Sequence, residues 1–327
     1  MENNVESNMP LVSICILNFN GRKFIERCLS SVFKTNYPNF EVILVDNGSS
    51  DGSNVLVSKF VSSIGINRFR AIFLEENKGF AGGHNVGALE ANGKYIAFLN
   101  IDTEVEPDWL HIIQLLEKNS VVAAVQPLIM DYDSHNVIQN MGMNMNKLGI
   151  LTILGKSANI ESLDKSNIVS YDIFSVLGAA FVIRKRAFME VGMFDEDMFL
   201  YFEESDMCWR LWLYGYEVKF CYNPGMKSKV YHKAYGTITE NIRGMRFFAR
   251  NRAIAMFKNL ETGHLAYALL NTLMSVGTGV LSPRSNFQMI KGLVEMLPEA
   301  NRKRKRVQTF RKKRDNLLFS QWIGTGK

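Results

Sequence analysis

The sequence predicts an α/β fold, a mostly parallel sheet flanked by helices and continued by a helical C-terminal extension. Three observations carry this. Apolar runs rich in branched residues alternate with segments of helical periodicity at about thirty residues per unit, the βαβ pattern of a parallel sheet with right-handed crossovers. Each run ends in a polar turn, so the turns gather along one sheet edge, where open α/β sheets bind ligands. From about Glu240 onward the pattern is helical.

Taken in order, Leu11–Leu17 is the first strand and ends in the turn Asn18-Phe19-Asn20-Gly21. Phe24, Ile25, Leu29, Val32 and Phe33 recur at helical spacing until Asn36-Tyr37-Pro38 stops them. Phe40–Val45 is the second strand, followed by the polar turn Asp46–Gly52 and a helix containing Val55, Leu56 and Phe60. Phe69–Leu74 is the third, followed by a glycine-rich turn and a helix to about Ala91. Tyr95–Leu99 is the fourth, apolar enough to be buried on both faces, and it stops at Asn100-Ile101-Asp102. Pro107 suits the first turn of a helix reaching Lys118, and Val121–Val125 is a fifth strand. Residues 126–170 read as a hairpin or a loop over the crevice. Tyr171–Val176 and Ala179–Ile183 read as strands, Glu203–Tyr214 as a helix stopped by Gly215, and Glu217–Cys221 and Lys229–His232 as short strands.

With 327 residues and 47% hydrophobic content, the chain easily supplies a core. The net charge of +6 is local: ten Lys or Arg stand against one Asp after residue 300, leaving 28 basic and 31 acidic residues before it. Cys15, Cys28, Cys208 and Cys221 show no metal or redox spacing and read as buried thiols in a cytosolic protein. The first ten residues lack the apolar core of a signal peptide. Leu265–Leu281 carries no charge, but its Asn, Thr, Ser and Gly make a core or amphipathic helix the better reading than a membrane span.

Chemistry has three candidate seats. Gly79-Phe80-Ala81-Gly82-Gly83 follows the third strand and either cradles a phosphate at a helix N-terminus or only makes a tight turn; no G-x-G-x-x-G or G-x-x-x-x-G-K-[ST] occurs. Glu203, Glu204 and Asp206 lie in four residues beside the aromatics Phe199–Phe202. Asp206 pairs with Arg210 at i, i+4, whereas Glu203 and Glu204 are either a solvated first turn or carboxylates kept ionised by the helix dipole, as a general base requires. His232 ends a short strand; it is either an ordinary imidazole or, with Asp102, part of a divalent metal site.

Together, Val45-Asp46-Asn47-Gly48-Ser49-Ser50-Asp51, Asn77–Gly87, Leu99-Asn100-Ile101-Asp102-Thr103, Gly192–Glu196 and Tyr201–Arg210 resemble the inverting family-two glycosyltransferases of the GT-A class, most like the rhamnosyltransferase group of polysaccharide assembly. The resemblance covers about residues 11–236. It implies a Rossmann-like GT-A catalytic domain at 9–236 and a helical, basic extension at 237–327. It implies a nucleotide-sugar donor, contacted by Asn18, Asp46, Asn77, Gly79 and Asn100. It implies Mg²⁺ or Mn²⁺ at Asp102 and His232, and Glu204 as catalytic base with Glu203 as substitute. Two residues depart from the family pattern: Asn100 stands for the first acid of its Asp-x-Asp motif, and Glu204 where many relatives have Asp.

The expected function is metal-assisted transfer of a hexose or deoxyhexose to a hydroxyl of a glycan or lipid-linked saccharide, with inversion. The alternatives are a non-catalytic sugar-nucleotide or glycan-binding protein and a glycoside hydrolase. The basic tail, Arg302–Arg306 and Arg311–Arg314, suits an anionic membrane surface, which would place a cytoplasmic protein peripherally on that face; no nucleic-acid motif accompanies it.

Overall fold

The computed structural model describes residues 9–64, 68–163, 166–233, 242–266 and 283–320. Its first half is the predicted βαβ series. β1 (Val12–Asn18), β2 (Phe40–Asp46), β3 (Phe69–Phe73) and β4 (Tyr95–Asn100) pair in parallel in the order β3-β2-β1-β4. Between them run α1 (Ile25–Val32), α2 (Ser53–Ile64) and α3 (Gly79–Glu90). The register sets Asn18 beside Asp46 and Leu17 beside Asn100, so three strand ends reach one edge together.

The second half departs from an all-parallel sheet. After the short strand β5 (Thr103–Val105) and helix α4 (Ile113–Lys118), the expected fifth strand appears as β6 (Val122–Gln126), but it does not pair with β4. β12 (Ala180–Arg184) lies between them, antiparallel to both. Its residues 180–183 are buried, and such a run carries no sign of strand direction. Arg184 pins it, donating from Nε to the Val122 carbonyl at 2.8 Å and from Nη1 to the Tyr95 hydroxyl at 3.0 Å. β13 (Glu217–Tyr222), parallel to β6, and β11 (Val169–Asp172), antiparallel to β13, complete eight strands.

Two small sheets lie outside it. One has the order β5-β14-β7-β8, with β7 (Ile129–Asp131), β8 (Ile138–Asn140) and β14 (Val230–His232). The other is the hairpin of β9 (Met143–Met145) and β10 (Leu151–Ile153), within the stretch that sequence left as hairpin or loop.

Two boundaries are corrected. The strand expected at Tyr171–Val176 ends at Asp172, because the Trp212 indole takes the Ile173 and Phe174 carbonyls that a ladder would need. Pro107 precedes its helix rather than opening it. Asp108, next to it, is tied sideways to the Lys227 backbone and to Asn36, and a 3-10 turn at Trp109–Ile112 intervenes before α4.

Helices α5 (Lys185–Glu190), α6 (Glu203–Leu213), α7 (Ile242–Asn259), α8 (Pro283–Phe310) and α9 (Asp315–Ser320) follow. The sheet has one apolar cluster on each face. The larger joins Phe98, Phe181, Phe194 and Trp209 to Ile254, Leu260, Val307 and Phe319, so the C-terminal helices share the sheet's core. The expected boundary at 236/237 lies outside the described residues, as does most of Leu265–Leu281. Among the described residues no helix is long and apolar enough to cross a membrane. All four cysteines are buried and unpaired.

Candidate active site

The edge at the ends of β1, β2 and β4 is built from amide and carboxylate side chains. Asn18 is fully buried and donates from Nδ2 to Asp46 Oδ2 at 2.7 Å; its Oδ1 is buried with no hydrogen-bond partner. Asp46 Oδ1 accepts the Ser49 N–H at 2.9 Å, which shapes the turn after β2. Asn47 braces the next loop: its Nδ2 donates to Asn77 Oδ1 and to the Gly79 carbonyl, both at 2.9 Å, and its Oδ1 accepts the Lys78 N–H.

Of the two readings of Gly79–Gly83, phosphate cradle or tight turn, the surroundings favour the turn. Gly79, at φ +72°, is packed so closely that an added Cβ would lie 2.3 Å from the Phe199 carbonyl oxygen. That oxygen accepts the Phe80 N–H at 2.7 Å and lies 3.4 Å from the Ala81 nitrogen, so protein already caps the start of α3. The Gly79 N–H is held by Asn77 and its carbonyl by Asn47. Gly79 therefore shapes the loop, with its N–H and its carbonyl each already hydrogen-bonded within the protein.

Past the end of β4, the structure brings Asp102 and His232 together, with Oδ1 and Nε2 3.5 Å apart and both side chains largely buried. β14 runs antiparallel to β5, which sets His232 opposite Thr103, and the Lys233 N–H donates to the Asp102 carbonyl. Gln139 fixes the imidazole: its Nε2 donates to the His232 carbonyl, so its Oε1, 2.7 Å from Nδ1, takes the ring proton. Nε2 and the Asp102 carboxylate oxygen then face each other across 3.5 Å. One oxygen, one imidazole nitrogen and an amide fixing the tautomer are a donor set suited to a divalent metal. Asn100, half-buried at the end of β4, stands two residues before Asp102 and faces His84, whose burial pushes its imidazole down to about 3.

Among the described residues a second group has metal-ligand spacing, Glu261, His264 and Asp315. Its oxygens are already used: Asp315 accepts from Arg311 and from the Glu261 N–H, and Glu261 accepts the Asp315 N–H. The group locks two helix ends together.

The carboxylates of α6 are not a solvated turn. Glu203 is 3% exposed and Glu204 half-buried, and each has a buried Oε2 without a hydrogen-bond partner. Burial pushes the Glu204 carboxyl up to about 7. Burial and then the neighbouring Glu204 charge raise Glu203 well above the carboxylate range. The expectation that the helix N-terminus keeps both fully ionised is thus corrected, because desolvation outweighs the dipole. The Gly178 N–H, beside the Glu204 carboxyl, favours its ionised form and partly opposes burial. The next carbonyl, Ala179, accepts the Asn100 N–H at 3.0 Å, which sets Gly178 beside the end of β4. Asp206 points away and binds Arg210, with Nη2 2.9 Å from Oδ2.

The turn entering α6 is strained. Phe199 (φ +60°, ψ −59°) forms the rarer, costly γ-turn, closed by the Leu200 N–H on the Met198 carbonyl at 2.6 Å. Tyr201 at φ +69° and Phe202 at φ +75° are left-handed as well. Each such residue costs on the order of 1–3 kcal/mol and persists only where the surroundings enforce it.

The family model of glycosyl transferase family 2 matches residues 13–192, more than half of the chain. The chain belongs to glycosyl transferase family 2. Poly-beta-1,6-N-acetyl-D-glucosamine synthase of Staphylococcus epidermidis is 27% identical over 212 residues, 64% of this chain and 47% of that protein. The chain thus spans about half the length of the curated relatives it matches. Two solved glycosyltransferases share the fold. GalNAc-T7 with UDP, GalNAc and Mn²⁺ is similar at TM-score 0.61 and 18% identity, covering 77% of this chain and 48% of that one. The mannosyltransferase PcManGT from Pyrobaculum calidifontis, with GDP-Man and Mn²⁺, is similar at TM-score 0.53 and 14% identity, covering 93% and 86%. At these identities the likeness shows the GT-A fold alone.

Against the family-two fold, sequence reasoning missed Asn47, Gln139 and Gly178. Asn47 lay within a quoted motif, and its place beside Asp46 was its only signal. Gln139 and Gly178 act through contacts 93 and 26 residues away along the chain, which no local pattern encodes.

Proposed function

We propose that this family-two protein is an inverting glycosyltransferase that takes a hexose or deoxyhexose from a nucleotide donor and passes it to a hydroxyl of a glycan or lipid-linked saccharide. The observation that carries the reading is the placement of Glu204, a partly exposed carboxyl with a pKa near 7, beside Gly178 and so beside the end of the strand that leads to Asp102 and His232.

In this reading Asn18, the turn begun by Asp46, and Asn77 receive the nucleoside, with Asn100 beside the diphosphate. Asp102 and His232 would hold Mg²⁺ or Mn²⁺, whose charge offsets that of the departing diphosphate. Glu204 takes the acceptor's hydroxyl proton. The freed oxygen bonds to the anomeric carbon as the bond to the phosphate oxygen breaks, and that electron pair leaves with the diphosphate. Attack opposite the leaving group inverts the centre. Glu203, less exposed and raised well above the carboxylate range by burial and by the Glu204 charge, holds a proton.

A hydrolase needs two carboxyls on opposite sides of the scissile bond, and adjacent residues of one helix do not provide them. The non-catalytic reading rests on Asn100 replacing an acid, and so does the rhamnosyl preference. Exposed Arg302, Lys305, Arg306, Lys312 and Arg314, with exposed Phe310 and Leu317 among them, suit an anionic membrane face and a peripheral position there.

A panel of nucleoside-diphosphate sugars tests the proposal, read by thermal shift and by nucleotide release with Mn²⁺ or excess chelator. We expect one donor to stabilise the fold and to turn over only with metal. Stabilisation without turnover over a broad acceptor panel would favour a binding protein, and equal turnover in chelator would remove the metal.

A further inference from the structure

We infer that Asn251, oriented by Arg250, is a positioning residue that holds the strained turn 198–202 in the one shape that brings Glu204 to the sheet edge. The inference rests on Glu204 being the base. Asn251 lies on α7, outside the stretch matched by the family model, and is fully buried. Its Nδ2 donates to the carbonyls of Met198 at 2.7 Å, Leu200 at 2.9 Å and Tyr201 at 2.6 Å. Three acceptors for two hydrogens means one hydrogen is shared, and the turn is gathered around a single amide group.

The orientation of that amide is determined. Arg250 Nε donates to Asn251 Oδ1 at 3.0 Å, so Nδ2 must face the turn. Arg250 Nη2 adds bonds to the Asp197 and Met198 carbonyls at 2.9 and 3.2 Å. The ring of Phe199 stacks on Phe247 at 5.6 Å, and that of Phe202 meets Phe248 edge-on at 5.4 Å. One helix therefore grips the turn from both side-chain and carbonyl sides. Two residues further on stands Glu204, whose carboxyl lies beside Gly178 at the sheet edge. Without the amide, the Leu200 and Tyr201 carbonyls lose the bonds that offset three left-handed residues, and the turn relaxes with the start of α6 attached to it.

Two measurements on the full chain test this. Hydrogen exchange should rise selectively at residues 198–206 in Asn251→Ala and, less, in Arg250→Ala, with peptides from β1 to β4 unchanged; wild-type exchange at 198–206 in a folded Asn251→Ala protein overturns the inference. In the transfer assay, Asn251→Ala should lower kcat roughly ten- to a hundredfold with donor KM within about twofold. The acid limb of its pH profile should move down from about 7, because Glu204 leaves its buried seat. A fall in kcat with the limb unmoved marks Asn251 as merely structural. Should Asn251→Ala not fold, Arg250→Ala, which keeps the amide, carries the same two readouts. A wild-type chain that transfers no sugar sinks the base reading and not the grip on the turn, which the exchange measurement decides alone.

Discussion

Glu204 and Glu203 are neighbours in sequence with different fates. Glu204 reaches partly into solvent, with the Gly178 N–H favouring its charge, whereas Glu203 is closed in. Glu204→Gln should cut transfer by about a hundred- to ten-thousandfold with donor affinity near wild type, and Glu203→Gln should do less. Steady-state kinetics beside donor titration measures both; a Glu204→Gln protein at the wild-type rate refutes the assignment. The base must be ionised, so wild-type kcat should rise as pH passes upward through about 7 and level off above it. A limb near 4 would mean that the carboxyl is solvated. Stability has the opposite slope. Above the ordinary carboxylate pKa the folded chain keeps a proton on Glu203 that the unfolded chain gives up, so folding loses about 1.4 kcal/mol per pH unit across that window. Glu203→Gln should therefore raise Tm, and more at pH 8 than at pH 4. The identities of these residues were legible in the acid cluster and its aromatic flank. Their ionisation was not, because burial comes from the sheet and from α7, and a sequence window sees only the helix N-terminus.

At the scale of elements, α6 and α7 are joined by charges in the core. Asp206 binds Arg210 within α6, and Lys258 and Asn259 of α7 at 3.1 and 2.9 Å. Asp195 binds Lys258 and Lys303. Asp206→Ala would leave Arg210 and Lys258 buried with fewer partners, and we expect a loss of about 3–5 kcal/mol in chemical denaturation, with Asp206→Asn milder. A change under 1 kcal/mol would show that water replaces the carboxylate. The Asp206–Arg210 pair was readable from i, i+4 spacing. Lys258 was not, since its partners lie 52 and 63 residues away. The four parallel strands were readable for a related reason: each is a short apolar run closed by a polar turn, although β4 pairs with β1 and not with β3. β12 was readable as a strand but not as an antiparallel insert, because a run buried on both faces has no periodicity that encodes direction.

Across the whole molecule, the basic tail has two sides. Lys303, Arg304 and Arg311 turn inward onto Asp195 and Asp197, the Phe257 and Leu260 carbonyls, and Asp315. Charge counting saw only the sum. Truncation after Glu299 would therefore remove Val307, Leu318 and Phe319 from the core and confuse unfolding with lost binding. Changing the outward Lys305, Arg306, Lys312 and Arg314 to Gln avoids that. These changes should leave Tm within a few degrees and abolish sedimentation with anionic vesicles, while neutral vesicles bind neither protein; sedimentation equal to wild type would remove the membrane partner.

β12 also sets an order of events during synthesis. The strands β3-β2-β1-β4 lie within the first 100 residues and can pair as they emerge. β6 is made next but has no place beside them until residues 180–184 arrive to stand between. For some eighty residues of translation the outer edge of β4 is an open, apolar strand, a template for another chain. The exposure of this edge to aggregation thus falls mid-synthesis and lasts until one five-residue strand covers β4.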